Sequence, residues 1–191
     1  MNGHPKNAQL DSKSFEAIAE LMYRECGLQL VAEKSSMIQS RLRHRLKAVG
    51  AQSFDAYATL VCSNQGQAER IEMISALTTN VSHFFREKHH FDILKNEILP
   101  NAINSLKSGG RFRIWSAGCS NGQEPYSIAI SALQAYPDIS GTNFKILATD
   151  IDPKVVRFAS EGRYPAKLTN GIPKQHLSQH FEKTREHGED T

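Results

Sequence analysis

The sequence predicts an all-helical N-terminal domain followed by part of a Rossmann-like α/β domain. Two observations support this prediction. Apolar residues recur at helical spacing over residues 12–77, and over residues 112–150 the pattern changes to strand, glycine-containing loop, helix, strand and acidic residue, which is a βαβ unit. We therefore expect three regions: a helical domain at residues 1–77, a linker and leading helix at residues 78–107, and a partial α/β domain with a polar tail at residues 108–191.

Composition narrows the classes of function. The chain has 191 residues and a formal net charge of +3, which is too small to indicate a nucleic-acid partner. No apolar run approaches the roughly 18–20 residues that cross a bilayer, and the polar N-terminus does not resemble a secretory signal. We expect a cytoplasmic protein without membrane insertion. The three cysteines and the histidine pairs lack metal-ligand spacing, so no metal site is expected.

Short helices are expected throughout the N-terminal domain. The second begins at about Lys34 and ends at Gly50, a residue that often terminates helices. Its apolar stripe consists of Ile38, Leu42, Leu46 and Val49. Ser53 is placed to cap the third helix. After this domain, a long amphipathic segment is predicted to be interrupted at Pro100.

The βαβ unit places Gly118, Gly122 and Asp150 at the carboxyl ends of strands, where open α/β sheets bind ligands. Glycines let a ligand approach the backbone, and an acidic side chain there can accept hydrogen bonds from ribose hydroxyls, which favours a nucleoside-containing cofactor. The loop matches neither the dinucleotide fingerprint nor the P-loop. Glu124 at the helix entrance suits a cationic ligand such as a sulfonium with an attached amine, although a lone glutamate there can simply favour the helix dipole.

Three longer stretches have a recognisable sequence. They are residues 77–87 (LTTNVSHFFRE), residues 114–127 (IWSAGCSNGQEPYS) and residues 148–152 (ATDID). In this order and spacing they resemble the CheR-type protein-glutamate O-methyltransferases of bacterial chemotaxis, and the resemblance covers nearly the whole chain. It implies methylation of glutamate carboxylates on chemotaxis receptors with S-adenosyl-L-methionine as cofactor and S-adenosyl-L-homocysteine as product.

The resemblance also implies which residues form the site. The expected cofactor contacts are Asn80, Ser82, Arg86, Gly118, Glu124 and Asp150. Glu124 would hold the amino-acid part of the cofactor and Asp150 its ribose. Arg86 is also the expected catalytic residue, orienting a carboxylate of substrate or cofactor through a bidentate pair. The alternative for Arg86 is a salt bridge to Glu87 or another surface acid.

Two positions depart from the family pattern, and several neighbours have simpler explanations. Ser82 stands where threonine is usual and keeps the hydroxyl, whereas Gln123 stands where glutamate is common and removes a charge beside Glu124. Asp152 precedes a proline and is predicted first of all to be a helix N-cap. The aromatic residues nearby are predicted to be structural, with Phe84 and Phe85 as anchors and Trp115 in the core.

The predicted second helix has several basic residues and no acidic one over residues 34–49. Such a run is usually a solvated face. The resemblance implies instead that this helix faces the glutamate-rich methylation region of the receptor's cytoplasmic helical bundle, through Arg41, Arg43 and Arg45. Electrostatic steering toward an acidic partner is physically reasonable. A nucleic-acid partner is less favoured, because no aromatic residues are interleaved for base stacking.

A methyltransferase sheet needs strands beyond the second, which residues 168–191 cannot supply. The sequence therefore suggests a truncated form, a partial gene product or a chain completed by a partner. Two hypotheses follow. The chain belongs to an active receptor-glutamate methyltransferase, or it is a non-catalytic receptor-binding adaptor or regulator that retains a vestigial cofactor site.

Overall fold

A computed structural model describes residues 8–186 and 189–190 of the chain. It divides into two compact units, Met1–Thr79 and Asn80–Thr191. The first is built from helices, and the second contains helices and a small parallel sheet. The predicted order of a helical domain and an α/β domain is therefore confirmed. Most of the region predicted as linker and leading helix belongs to the second unit.

The first unit contains four α-helices, α1 (Ser12–Cys26), α2 (Ser35–Val49), α3 (Phe54–Cys62) and α4 (Gln67–Leu77), in the part of it that the structure describes. Local chemistry fixes their ends. The Ser53 side chain accepts a hydrogen bond from the Ala56 amide at the start of α3. Gly50 ends α2 with a φ of 69°, a left-handed conformation that glycine adopts without strain.

The apolar stripe of α2 faces the core of the first unit. Ile38, Leu42 and Leu46 are 0–1% exposed, whereas Val49 is only partly buried against the same cluster. Burial of each large aliphatic side chain contributes about 1.5–3 kcal/mol. The stripe therefore fixes which flanks of α2 remain available to its polar residues.

The second unit begins with a helical segment made of α5 (Lys88–Ile93), a π-helical turn at Leu94–Ile98, and α6 (Leu99–Lys107). The interruption predicted at Pro100 is wrong in its position. Pro100 lies in the first turn of α6, where its missing N–H needs no partner. The irregular turn comes before it, at Leu94–Ile98.

The remaining elements of the second unit are β1 (Phe112–Ala117), α7 (Gln123–Ala135), β2 (Phe144–Thr149), α8 (Pro153–Glu161), α9 (Lys174–His180), β3 (Arg185–Glu186) and β4 (Glu189–Asp190). β1 and β2 pair in parallel, from Phe112 opposite Phe144 to Ala117 opposite Thr149. The short β3 and β4 pair antiparallel. Among the described helices, none has the length and apolar character needed to cross a bilayer.

The β1–β2 sheet has one covered face. Phe112 and Ile114 of β1 pack into a cluster that includes residues of α6 and α7. Their neighbours point the other way, because side chains alternate along a strand. Trp115 is 66% exposed and Leu147 is 59% exposed. The prediction that Trp115 lies in the core is therefore wrong.

Candidate functional site

The loop after β1 is tied to the end of β2, because the amides of Gly118 and Cys119 both donate to the Thr149 carbonyl, at 2.8 and 2.9 Å. The two glycines of this loop serve different purposes. A Cβ added to Gly118 would meet no atom within 4 Å, so this side of the loop is open to a ligand. A Cβ on Gly122 would lie 2.8 Å from Ala159 Cβ and from the Tyr164 hydroxyl. Gly122 therefore permits close packing rather than the ligand approach that the sequence suggested.

Asp150 follows β2 directly and reaches back to the loop. Its Oδ2 accepts from the Ser120 amide at 2.8 Å, and its Oδ1 accepts from the Asp152 amide at 3.0 Å. Ser120 has a φ of 50°, which is uncommon for a residue with a Cβ. Each carboxylate oxygen keeps further acceptor capacity, so Asp150 is held in place while it can still receive ribose hydroxyls.

Glu124 is exposed in the first turn of α7. Its Oε1 accepts from the hydroxyl of Ser116, at 2.6 Å, and Ser116 is itself buried near the end of β1. Neither Glu124 nor Asp150 forms an ion pair within the described residues. Burial, and then the Asp150 and Glu124 carboxylates, raise the pKa of the Cys119 thiol. The loop therefore lies in a negative potential that favours a cationic ligand.

The segment from Asn80 to Arg86 is anchored by two aromatic residues. Phe84 is 1% exposed and packs edge-on against Tyr164, with 5.0 Å between ring centroids. Phe85 packs against Phe91 at 5.3 Å, and its amide donates to the hydroxyl of Ser127 on α7 at 2.9 Å. The predicted anchoring role of both phenylalanines is confirmed. Ser82 lies half-buried in the same segment.

Arg86 lies between two strained residues, since Phe85 and Glu87 both have a φ of 55°. Its side chain is exposed and donates to the Val81 carbonyl at 3.0 Å. The alternative salt bridge to Glu87 is not formed, and Glu87 lies 3.8 Å from His89 instead. A guanidinium has five N–H donors, so Arg86 retains the capacity to bind a carboxylate.

Asn80 joins the start of this segment to Asp152, which follows β2, and to Ser120 of the glycine loop. Its Nδ2 donates to Asp152 Oδ2 at 2.7 Å, and its carbonyl accepts from the Ser120 hydroxyl at 3.0 Å. Asp152 also accepts from the Lys154 amide at 2.9 Å, which confirms the predicted N-cap of α8. Sequence reasoning missed Ser120 and the second role of Asp152. The bond between Asp152 and Asn80 joins residues that are 72 positions apart in the chain.

The three arginines expected to face a partner have different surroundings. Arg41 donates from Nη1 to the carbonyls of Leu77 and Thr78, at 2.9 and 3.1 Å, and so caps the end of α4. Arg45 binds two acidic residues of α4, Glu69 and Glu72. Arg43 is exposed. Arg41 and Arg45 flank the buried stripe of α2, which brings their long side chains within reach of α4.

The second unit thus has the features of a nucleoside-binding α/β domain. An open glycine loop, an acidic residue after the next strand and an acidic residue in the following helix's first turn together fit a nucleoside cofactor with a cationic group. Methyltransferases that use a sulfonium cofactor are the class of protein that this combination defines.

Comparison with known families agrees with this class. Residues 13–78 match the family described as CheR methyltransferase, all-alpha domain, and residues 80–190 match the family described as CheR methyltransferase, SAM binding domain. The chain therefore belongs to the CheR methyltransferase family. S-adenosylmethionine is the cofactor of its second domain.

Several curated relatives are similar over much of the chain. The chain is 47% identical over 144 residues to a probable chemotaxis protein methyltransferase of Rhizobium etli, covering 75% of this chain and 54% of the relative. It is 38% identical over 172 residues to the chemotaxis protein methyltransferases of Borreliella burgdorferi and Salmonella typhimurium. These alignments cover 88% and 90% of this chain, and 60% and 57% of the relatives. The chain thus spans somewhat more than half the length of these relatives.

Proposed function

We propose that this chain contains the cofactor site and the receptor-facing helices of a cytoplasmic protein-glutamate O-methyltransferase that acts on chemotaxis receptors. One observation carries the proposal: Glu124 and Asp150 flank the Gly118 loop without a cationic partner among the described residues. The names of the relatives, chemotaxis protein methyltransferase, support the receptor as substrate.

The cofactor is proposed to lie along the open side of Gly118. Asp150 accepts hydrogen bonds from the ribose hydroxyls, and Glu124 binds the amino-acid part of the cofactor at the start of α7. Asn80, Ser82 and Arg86 are proposed to contribute from the segment that precedes α5. When bound, S-adenosylmethionine supplies a sulfonium methyl group, whose transfer to a carboxylate oxygen leaves a methyl ester and the neutral thioether S-adenosyl-L-homocysteine.

Positioning is the main catalytic task of the protein side chains. A glutamate carboxylate, with a pKa of about 4.3, is already ionised at neutral pH, so no general base is needed. Arg86 is proposed to orient the substrate or cofactor carboxylate through its free N–H donors, and the strained residues on each side restrict its backbone. Fixed orientation of the reacting groups lowers the barrier chiefly through entropy.

Receptor recognition is proposed to use the basic face of α2. Arg43 is the exposed arginine of the three considered, and Lys47 is exposed one turn further on. Arg41 contributes positive charge near this face while its guanidinium group caps α4, whereas Arg45 is paired with Glu69 and Glu72 and adds no net positive charge. A cationic helix speeds the encounter with a glutamate-rich bundle more than it strengthens the final complex.

A non-catalytic adaptor is the second candidate. The observation that favours it is Gln123, which stands beside Glu124 where the family commonly has glutamate, so the site has one negative charge fewer for a cationic ligand. In this form the helical unit binds receptor, and the cofactor site is vestigial.

Calorimetric titration of the 191-residue chain with S-adenosyl-L-homocysteine separates the two candidates. We expect micromolar binding that Asp150→Ala and Glu124→Ala each weaken about tenfold or more, since each removes a hydrogen bond to the ligand that involves a charged group. Asp138→Ala, an exposed acid in the turn after α7, is the matched control and leaves the affinity unchanged. Absent binding together with retained receptor binding and no methyl transfer supports the adaptor.

A further inference from the structure

We propose that Asn80, Ser120, Asp150 and Asp152 form a closed ring of hydrogen bonds that positions the segment bearing Arg86 against the cofactor loop. Asp152 and Ser120 are then positioning residues for the cofactor site. The proposal rests on the proposed function for the identity of the ligand, whereas the ring itself can be tested without ligand.

The ring can be followed bond by bond. The Ser120 amide donates to Asp150 Oδ2 at 2.8 Å, and the Asp152 amide donates to Asp150 Oδ1 at 3.0 Å. Asp152 Oδ2 accepts from Asn80 Nδ2 at 2.7 Å. The Ser120 hydroxyl donates to the Asn80 carbonyl at 3.0 Å and closes the ring. Three separate parts of the chain, the leading segment, the glycine loop and the end of β2, are thereby joined.

Burial of its members favours the arrangement in which this ring is closed. Asp152 is 1% exposed and Ser120 is 8% exposed. Burial of a carboxylate without hydrogen-bond donors is costly, and Asp152 accepts hydrogen bonds from Asn80 Nδ2 and from the Lys154 amide. If the leading segment moves away from the loop, a buried acceptor loses its donor. The segment is therefore held even when no ligand contacts it.

The ring changes the role expected of Asn80. Its amide nitrogen donates to Asp152, so Asn80 acts on the site by fixing where Ser82 and Arg86 lie along the following residues. Asp150, the proposed ribose acceptor, belongs to the same ring. The orientation of the ribose contact and the position of Arg86 are consequently coupled, and Asp152 influences cofactor affinity without touching the cofactor.

Exchanging the two members of the Asn80–Asp152 pair tests the ring. N80D places two carboxylates in contact, and we expect it to weaken S-adenosyl-L-homocysteine binding about tenfold or more. D152N permits an amide–amide hydrogen bond after one amide turns over, so its effect is smaller. The double variant N80D/D152N restores an amide–carboxylate pair in reversed order and is expected to recover affinity to within about threefold of the unaltered chain.

Two measurements are made on the 191-residue chain: calorimetric affinity and amide hydrogen exchange of residues 80–87 without ligand. We expect N80D to speed exchange in this segment and N80D/D152N to restore protection. A purely structural loss would show no recovery in the double variant. Ser160→Ala, an exposed α8 serine, is the control and changes neither measurement.

The outcomes separate the ring from the proposed function. If N80D matches the unaltered chain in exchange, or if the double variant fails to recover, the ring proposal is wrong. If the unaltered chain binds no S-adenosyl-L-homocysteine, the proposed function fails for this chain, and recovery of exchange protection still supports the ring. If N80D does not fold, S120A replaces it as the test variant. S120A removes the hydroxyl that closes the ring and should speed exchange in residues 80–87. Unchanged exchange in S120A overturns the proposal.

Discussion

The two units differ in the partners of their acidic side chains. In the helical unit, Glu69 is 8% exposed and accepts hydrogen bonds from Arg45 and from the Tyr57 hydroxyl, so its charge is neutralised internally. In the α/β unit, Glu124 and Asp150 are held only by hydrogen bonds from the protein. Charge in the first unit therefore maintains structure, whereas charge in the second remains available to a ligand.

The largest expected effect is on the stability of the helical unit. Glu69→Ala removes the shared acceptor of Arg45 and Tyr57 and leaves a partly buried guanidinium short of a partner. We expect a loss of about 3–5 kcal/mol in the free energy of unfolding, measured by urea denaturation. Glu33→Ala, at an exposed position before α2, is the control. A loss below about 1 kcal/mol would show that the cluster is not structural.

The glycines of the cofactor loop should separate stability from binding. Gly122→Ala puts a Cβ against Ala159 and Tyr164 at a φ of 87°, and we expect it to destabilise the second unit by about 2–4 kcal/mol. Gly118→Ala meets open space at a φ of 82° and should cost only about 1 kcal/mol. Thermal unfolding measures both. Gly118→Ala is expected to lose S-adenosyl-L-homocysteine affinity with little loss of stability. Equal losses of stability in the two variants would contradict this distinction.

Alkaline pH should weaken the helical unit. Burial, and then the hydrogen bond to Glu69, raise the pKa of Tyr57 well above its usual value. The folded state therefore keeps a proton that the unfolded state releases above about pH 10, so the stabilisation is complete below that pH and falls by roughly 1.4 kcal/mol per pH unit above it. Urea denaturation between pH 8 and about 11 measures the slope. Tyr57→Phe should flatten it, whereas Tyr23→Phe, at an exposed position, should not.

The smallest effect on stability is expected for the exposed arginine of α2. Arg43→Ala should change the free energy of unfolding by less than about 0.5 kcal/mol while it slows association with an acidic receptor fragment. Arg45→Ala should instead lower stability, because it removes the partner of Glu69 and Glu72. Stopped-flow association at two salt concentrations measures the first effect. If Arg43→Ala leaves the association rate unchanged, α2 does not face the receptor through this residue.

Local chemistry explains which features the sequence could predict. Gly50, Ser53 and Asp152 act on residues within one helical turn, so their positions alone indicate where helices begin and end. The glycine loop and Asp150 were likewise recognisable from their order along one βαβ unit. These predictions needed no knowledge of distant contacts.

The rest depends on contacts between distant residues. The Asn80–Asp152 bond joins residues 72 apart, and Arg45 meets Glu69 24 residues away. The alternation in β1 predicts two faces but does not say which one is covered, so the exposure of Trp115 could not be read from its strand position. The sequence suggested that Gly122 lets a ligand approach the backbone. Its close packing against Ala159 is visible only in three dimensions.

The exposed side chain of Trp115 has a spectroscopic consequence. It is the chain's one tryptophan, and its indole N–H donates to the Thr149 hydroxyl at 3.0 Å, beside the carbonyl that holds the glycine loop. Tryptophan fluorescence, excited selectively over the tyrosines, therefore reports on the open face of the β1–β2 sheet. Any polypeptide that covers this face should shift the emission to shorter wavelength and shield it from iodide, so its arrival can be timed without a label.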